Sequence, residues 1–292
     1  MNVSLLVSII ASASVYAALA VAVVLVYRSN HVLTFHIAET GVLAAYVMVT
    51  VLDAYGQGAG PAAMALGFGA ALATALAVAV VMHVVIDRWA RPYGHFVGTV
   101  LTIAVATLLM GIVSMVWSGE ARRLVLADGH LAVGGTKIAW NSIVVIAACL
   151  AAVAATHLVV SRTRLGIGMR AVANSAELAR LRGIPVPRVL LSAWLIGGCL
   201  TALGGVCMAA LSSVAMEGAV VGVSAVVAAI LGGMTSLGGA ILGAVLLAAG
   251  EQLVSVYFDA RYSQVVPILA LVIVLSLRPS GLSGRTESIA RV

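Results

Sequence analysis

The acidic residues of this chain stand out because two of them lie inside long apolar runs. Glu39 lies within the run 32–52, and Glu251 lies near the end of the run 240–256. If these runs cross a membrane, each carboxylate costs about 2.5–3.5 kcal/mol and should face a bundle interior or a cavity. We expect Glu39 to be a pathway or gate residue, or alternatively a helix–helix hydrogen-bond partner. We expect Glu251 to reach water at the outer end of its span, and Glu217 to be solvated.

The histidines and cysteines form no metal or redox pattern. His31 and His36 are five residues apart, a poor spacing for sharing one helix face, so we expect no metal site. His83 and His157 stand alone in apolar runs and are predicted to be interior groups or interface anchors. The three cysteines form no C-x-x-C pair and are interpreted as packing residues. H-E-x-x-H is absent, and nothing supports an intramembrane enzyme.

Basic residues are concentrated in the stretch 162–188, which holds six arginines. Asn174 with Glu177 three residues later has the spacing of a capping box, and Gly183 followed by prolines predicts a helix end. The stretch therefore predicts a short helix whose apolar edge is Leu178 and Leu181. A plain membrane anchor needs neither a cap nor a stop. Docking to a partner is the favoured role, and simple charge anchoring is the alternative.

The elements that must position these residues are transmembrane helices. The chain is 63% apolar and 9% charged, with a mean hydropathy of +1.17, too little polar surface for a water-soluble domain. A span needs about 20 apolar residues. This length marks nine candidate runs, namely 4–26, 32–52, 62–85, 96–117, 141–160, 189–212, 219–233, 240–256 and 264–277.

The predicted fold is an all-α polytopic transmembrane helix bundle of eight to nine spans with a short cytoplasmic coupling helix. The runs 219–233 and 264–277 are short and could be re-entrant or tilted. We expect one domain over residues 1–292, with a cytoplasmic coupling segment at 162–188. The glycine-containing connection 118–140 is expected to form an external loop or short hairpin.

The distribution of basic residues predicts the orientation. With nine crossings, twelve of the sixteen Lys and Arg residues fall on one side, together with 162–188 and the C-terminus. Positive residues favour the cytoplasmic side, so the N-terminus is expected outside. The basic residues alternate with apolar runs, so we expect no nucleic-acid partner. No basic residue precedes the run 4–26, which indicates a retained span and not a signal peptide.

Four segments resemble one transporter family. TRLGIGMRAVANSAELARLRGIPVPRV at 163–189, AAILGGMTSLGGAILGAVLLAAGEQL at 228–253, IDRWARPYGH at 86–95 and RPSGLSGR at 278–285 resemble permease subunits of the branched-chain amino acid class of ABC importers, including their amide and urea relatives. The chain has one lysine, Lys137, and no G-x-x-x-x-G-K-[ST] motif. The energy for transport is therefore expected to come from a separate ATPase.

The resemblance implies two sets of functional residues. The surface that couples to the ATPase would comprise Arg170, Glu177, Leu178, Arg180, Leu181, Arg182 and Gly183. The family reads Asn-Phe-Ala-His-Gly-Glu where this chain has LTFHIAE, and only Phe35, Glu39 and the later Tyr46 fit. The expected substrate pathway comprises Thr34, Phe35, Glu39, Tyr46, Gly232, Gly233, Thr235 and Ser236. The glycines there either expose backbone groups to substrate or, as the favoured interpretation, form a turn and close helix contacts.

The resemblance also implies a function and an assembly. The expected function is the permease of an ATP-driven importer of amino acids or related small polar solutes, working by alternating access. A self-sufficient secondary transporter or channel is the alternative. Expected partners are a second, related permease chain, two ATPase subunits that hold ATP and Mg²⁺, and an external solute-binding protein. This chain itself is expected to bind no cofactor and to lie in a bacterial inner membrane.

Overall fold

The computed structural model describes residues 3–56, 60–90, 93–122, 124–127, 129–133, 136–214, 218–278 and 281–283. Apolar runs become helices because a helix satisfies its backbone N–H and C=O groups within one segment, as hydrocarbon surroundings require. The helices are α1 (Val3–Asn30), α2 (Ile37–Tyr55), α3 (Pro61–Val85), α4 (His95–Trp117), α5 (Trp140–Arg162), α6 (Arg164–Asn174), α7 (Ala176–Leu181), α8 (Val186–Leu211), α9 (Gly218–Gly232), α10 (Leu237–Tyr257) and α11 (Val266–Leu277).

Within these described ranges, eight helical segments are long and apolar enough to cross a membrane, and α9 is a shorter apolar helix. The eighth segment joins the 3₁₀ turn Ala260–Val265 to α11. An all-α polytopic bundle with eight to nine spans is therefore confirmed. A π-helical turn, Ile86–Ala90, extends α3.

α1 is the central helix of the bundle. Its residues from 13 to 26 are buried on every face, and it packs mainly against α10, α8 and α5. Many of these residues are alanine, valine or serine, and small side chains let neighbouring helices approach closely where lipid provides no hydrophobic drive. In contrast, α3, α4 and α11 expose much of their apolar surface, as expected for helices that face lipid.

The predicted external connection folds as a short hairpin. Strand β1 (His130–Val133) pairs antiparallel with β2 (Thr136–Ala139), with His130 opposite Ala139. The hairpin lies at one end of the bundle, which we call the hairpin end. The opposite end holds α6 and α7 and is called the coupling end. Arg122 at the hairpin end forms a backbone bridge with Val214 after α8.

The short helix α9 belongs to a segment that returns the chain between these ends. Val214 lies at the hairpin end, and Ser236 lies beside Arg170 of α6 at the coupling end. The chain therefore crosses the bundle between them although α9 has only 15 residues. The predicted tail segment joins this region, because Leu282 and Ser283 donate backbone hydrogen bonds to Leu231 and Gly232.

Candidate translocation pathway and coupling surface

The chain between α1 and α2, residues 31–35, is not helical, and Val32 and Thr34 within it are buried. The span predicted near 32–52 is present as α2, which begins five residues later, at Ile37. Thr102 of α4 compensates for the missing helical hydrogen bonds. Its Oγ1 accepts from the Phe35 N–H at 3.3 Å, and its single proton is within hydrogen-bond distance of two carbonyls, that of Leu33 at 3.0 Å and that of Thr99 in its own helix at 2.8 Å. Non-helical backbone at membrane depth is tolerated where protein groups pair it in this way.

This break places Glu39 in the first turn of α2, on the wall of a cavity of about 400 Å³. We call it the Glu39 cavity. Its wall is otherwise mostly apolar, and it comprises Phe35, Glu39, Ile103, Ala106, Thr107, Met110, Gly222 and Val223. The Oε2 atom of Glu39 is buried and has no hydrogen-bond partner among the described residues. A carboxylate with one oxygen left without a partner, beside an apolar wall, suits a ligand that has an ammonium or amide group and an apolar side chain.

Two other predicted pathway residues do not line the Glu39 cavity. Thr34 is fully buried. Tyr46 is also fully buried, and its hydroxyl donates to the Glu120 carbonyl at 2.9 Å while its ring lies 5.4 Å from that of Trp117. Tyr46 therefore anchors α2 to the end of α4.

The remaining predicted pathway residues form the turn between α9 and α10 and do not line the Glu39 cavity either. Gly233 has φ +102°, which favours glycine, and Gly232 packs directly against the backbone of Gly239. Ser236 caps α10 by accepting from the Gly239 N–H at 3.0 Å. Close packing and turn formation thus account for the glycines. Thr235 and Ser236 instead line a second cavity at the coupling end.

The short helix predicted within 162–188 is present as α7, but its cap differs from the prediction. Asn174 is the last residue of α6, and the cap of α7 is Ser175, whose Oγ accepts from the Leu178 N–H at 3.2 Å. Gly183 follows the helix with φ +77°, as its predicted stop role requires. The capping box centred on Asn174 was therefore wrong by one residue, while the stop was right.

The apolar edge of α7 has no cover within the described chain. Leu178 is 63% exposed and Leu181 is 80% exposed. Glu177, Arg180 and Arg182 are also exposed. On the opposite side of the helix, buried Ala179 packs with Val172 and Val186 and holds α7 against α6 and α8. The helix is thus fixed from behind while its leucines remain accessible.

Arg170 lies apart from the exposed leucines. Its Nη1 donates to the Val160 carbonyl at 2.8 Å, which joins α6 to the end of α5. The predicted coupling residues therefore divide between the accessible surface of α7 and a supporting contact behind it.

Known proteins match the chain over nearly all of its length. Residues 5–275 match the family described as branched-chain amino acid transport system, permease component. The chain belongs to this family of permeases.

The permease is similar to the high-affinity branched-chain amino acid transport system permease proteins BraD of Pseudomonas aeruginosa and LivH of Escherichia coli (strain K12). It is 27% identical to BraD over 94% of this chain and 93% of BraD. It is 28% identical to LivH over 94% of this chain and 92% of LivH. A probable LivH permease of Methanocaldococcus jannaschii is 23% identical over 63% of each chain. No solved structure matches the permease.

Glu251 of the permease was predicted to reach water at the outer end of its span, but its carboxylate forms hydrogen bonds with two side chains inside the bundle. Its Oε2 accepts from the Tyr16 hydroxyl at 2.5 Å, and its Oε1 accepts from the Ser224 hydroxyl at 2.8 Å. The three side chains join α10, α1 and α9. The carboxylate is therefore a structural connection between three helices, which explains how the bundle tolerates it.

Sequence reasoning missed other residues of the permease. Thr102 forms hydrogen bonds with the non-helical segment before α2, but in the sequence it is one hydroxyl among many in apolar helices. The available signal was the spacing of Thr99 and Thr102, which places both on one helix face. His157 was predicted as an interior group or interface anchor, but it is exposed and lines the second cavity. Glu217 lies outside the described residues.

Proposed function

We propose that this permease forms one half of the membrane pore of an ATP-driven importer of branched-chain amino acids or closely related small solutes. The observation that carries the substrate class is the Glu39 carboxylate, whose Oε2 atom has no hydrogen-bond partner among the described residues, on the wall of a largely apolar cavity. The family supports the transport function, and the names of BraD and LivH support the substrate.

The Glu39 cavity offers complementary contacts to such a solute. Glu39 would pair with the solute's ammonium group, since a charged hydrogen bond in a desolvated site is stronger than a neutral one. Ile103, Met110 and Val223 would contact a branched apolar side chain. Small amides, which also donate N–H groups to a carboxylate, are the second substrate class.

The cavity lies where a conformational change can open it. Its wall combines the first turn of α2 with α4 and α9, and the chain before α2 is not helical. In many transporters the substrate site opens to alternate sides because one group of helices rocks against another around the site. Closure of the partner ATPases would move α7 and thereby shift the spans from inward-open to outward-open.

We further propose that α7 inserts into a groove on a separate ATPase subunit. Its exposed leucines and flanking charges would supply an apolar contact and a charged rim. This assigns the coupling end to the cytoplasm and the N-terminus to the outside, in agreement with the excess of arginines at that end. A second permease chain, two ATPases with ATP and Mg²⁺, and an external binding protein complete the proposed importer.

Substitution of Glu39 tests the substrate site. Glu39→Gln should lower leucine uptake at least about tenfold, because it removes the charge that pairs with the ammonium group. Uptake is measured in proteoliposomes that contain the whole transporter, and assembly is measured by size-exclusion chromatography. Glu120→Gln, which removes an exposed carboxylate at the hairpin end, is the matched control. Wild-type uptake by correctly assembled Glu39→Gln would exclude Glu39 from the pathway.

Substitution of α7 tests the coupling surface separately. Glu177→Lys combined with Leu181→Asp should abolish recovery of the ATPase in a detergent pull-down while membrane insertion is unchanged. Leu181→Met keeps an apolar side chain and should retain the ATPase. Unchanged ATPase recovery with the double variant would refute docking through α7. Uptake by the permease alone, without ATP, would indicate a self-sufficient carrier instead.

A further inference from the structure

A second cavity of about 600 Å³ lies at the coupling end, away from the Glu39 cavity. We call it the Arg28 cavity. It is an open concavity lined by the ends of α1 and α5, by α6 and by the turn that begins α10. Arg28 and Arg170 both line it, and Ser161, His157 and Ser236 contribute further polar groups.

The charge of this cavity is unbalanced. Two guanidinium groups share one concave wall, and no described residue that lines it is acidic. Arg170 uses one of its donors on the Val160 carbonyl, and a guanidinium has five donors in total. Like charges on one wall repel each other, so an anion that binds both would relieve this repulsion.

The start of α10 adds to the positive potential. This helix of 21 residues begins at the cavity wall, where Thr235, Ser236 and Gly238 lie. The N-terminus of a helix carries a partial positive charge, and its first amides are donors for anions. Hydroxyl groups of Ser161 and Thr235 on the same wall can donate as well. Two arginines, hydroxyl donors and a helix N-terminus together favour an anion with several oxygen atoms.

We propose that the Arg28 cavity binds a phosphate-bearing anion, with Arg28 and Arg170 pairing with its oxygens. The two oxygens of a carboxylate lie in one plane, whereas the tetrahedral oxygens of a phosphate group can point to two arginines in different directions. Two sources share this chemistry, the headgroup of an anionic lipid and a soluble phosphate compound. Because the cavity joins α1, α5, α6 and α10, the bound anion would hold the base of the coupling helices against the core.

Binding to the full-length purified permease tests the proposal, with two probes that separate the sources. In the first arm, inorganic phosphate is compared with acetate at equal ionic strength, and the shift in thermal midpoint is measured in neutral detergent after lipid removal. In the second arm, native mass spectrometry compares phosphatidylglycerol with diacylglycerol of the same acyl chains, which lacks the phosphate. We expect a larger thermal shift with inorganic phosphate than with acetate, or more binding of phosphatidylglycerol than of diacylglycerol, or both.

Variants locate the binding within the cavity. Arg28→Gln should weaken binding of the responding probe about tenfold, and Arg170→Gln should do the same. Each shift is measured relative to the same variant without ligand, so a change in basal stability does not enter the comparison. Arg188→Gln removes a charge from an exposed position at the same end, outside the cavity, and should bind as the wild type does.

The two arms and the variants give distinct outcomes. A response to inorganic phosphate supports a soluble ligand, and a response to phosphatidylglycerol alone supports a lipid headgroup. Equal effects of phosphate and acetate together with equal binding of phosphatidylglycerol and diacylglycerol, no response in either arm, or wild-type binding by both Arg28→Gln and Arg170→Gln would overturn the proposal.

Discussion

Truncation of Glu251 should destabilise the permease through the loss of two interhelical hydrogen bonds. Glu251→Ala removes the acceptor for the Tyr16 hydroxyl, at 2.5 Å, and for the Ser224 hydroxyl, at 2.8 Å. Interhelical hydrogen bonds within membranes contribute about 0.6 kcal/mol on average and about 1.7 kcal/mol at most. The expected loss of stability is therefore about 1–3 kcal/mol.

Glu251→Gln separates hydrogen bonding from charge. The amide keeps the shape of the side chain, its oxygen can accept from one hydroxyl, and its nitrogen can donate to the other. This variant should lose less than half of the stability that Glu251→Ala loses. Gln252→Ala is a control on the neighbouring position, since it removes a single bond from Gln252 to the Ser12 hydroxyl at 3.2 Å.

The free energy of unfolding can be measured in bicelles by steric trapping, and the thermal midpoint by fluorescence-detected size-exclusion chromatography. Each kcal/mol should lower the midpoint by about 2–4 °C on the scaling of soluble domains of 150–250 residues. If Glu251→Ala unfolds at the wild-type free energy, the connection between α1, α9 and α10 does not contribute to stability. If Glu251→Gln is as unstable as Glu251→Ala, the charge and not the hydrogen bonding matters.

Two further substitutions test the packing around α2. Gly205→Val should destabilise the bundle by about 1–3 kcal/mol, because an added Cβ would overlap the backbone of Gly41 on α2. Gly111→Val, where an added Cβ meets nothing, should be nearly neutral in the same unfolding assay, and equal effects would refute the close contact. Thr102→Val should lower the free energy of unfolding by about 1–2 kcal/mol, because it removes the hydrogen bonds to the non-helical segment before α2. Thr74→Val, which removes only a bond within its own helix, should cost less; equal losses would contradict the assigned role of Thr102.

The break before α2 shows why sequence reasoning missed part of the pathway. Residues 32–35 continue the apolar pattern of a span, and periodicity alone does not show where a helix within an apolar run begins. The non-helical form is paired by Thr102, which is 67 residues from Phe35 along the chain. The position of Glu39 in the first turn of α2, beside a cavity, follows from that distant contact.

The cap of α7 shows the same limit on a smaller scale. Asn174 and Ser175 are adjacent and both are good capping residues. The extended backbone of Ser175 selects it, and this conformation depends on how α6 packs against α5 and α8.

By itself, the sequence determined the membrane class, the approximate spans, the short helix near residue 178 and the family. The first three depend on transfer free energies and local backbone preferences, which act over a few neighbouring residues, and the family followed from the resemblance of four segments. Only the tertiary structure decided that Glu251 joins three helices, that Tyr46 is an anchor and that Arg28 and Arg170 share a cavity. Each of these contacts joins residues far apart in sequence, since Tyr16 and Glu251 are separated by 235 positions. The packing of whole helices decides which polar side chains contact each other, and a local sequence pattern does not predict these contacts.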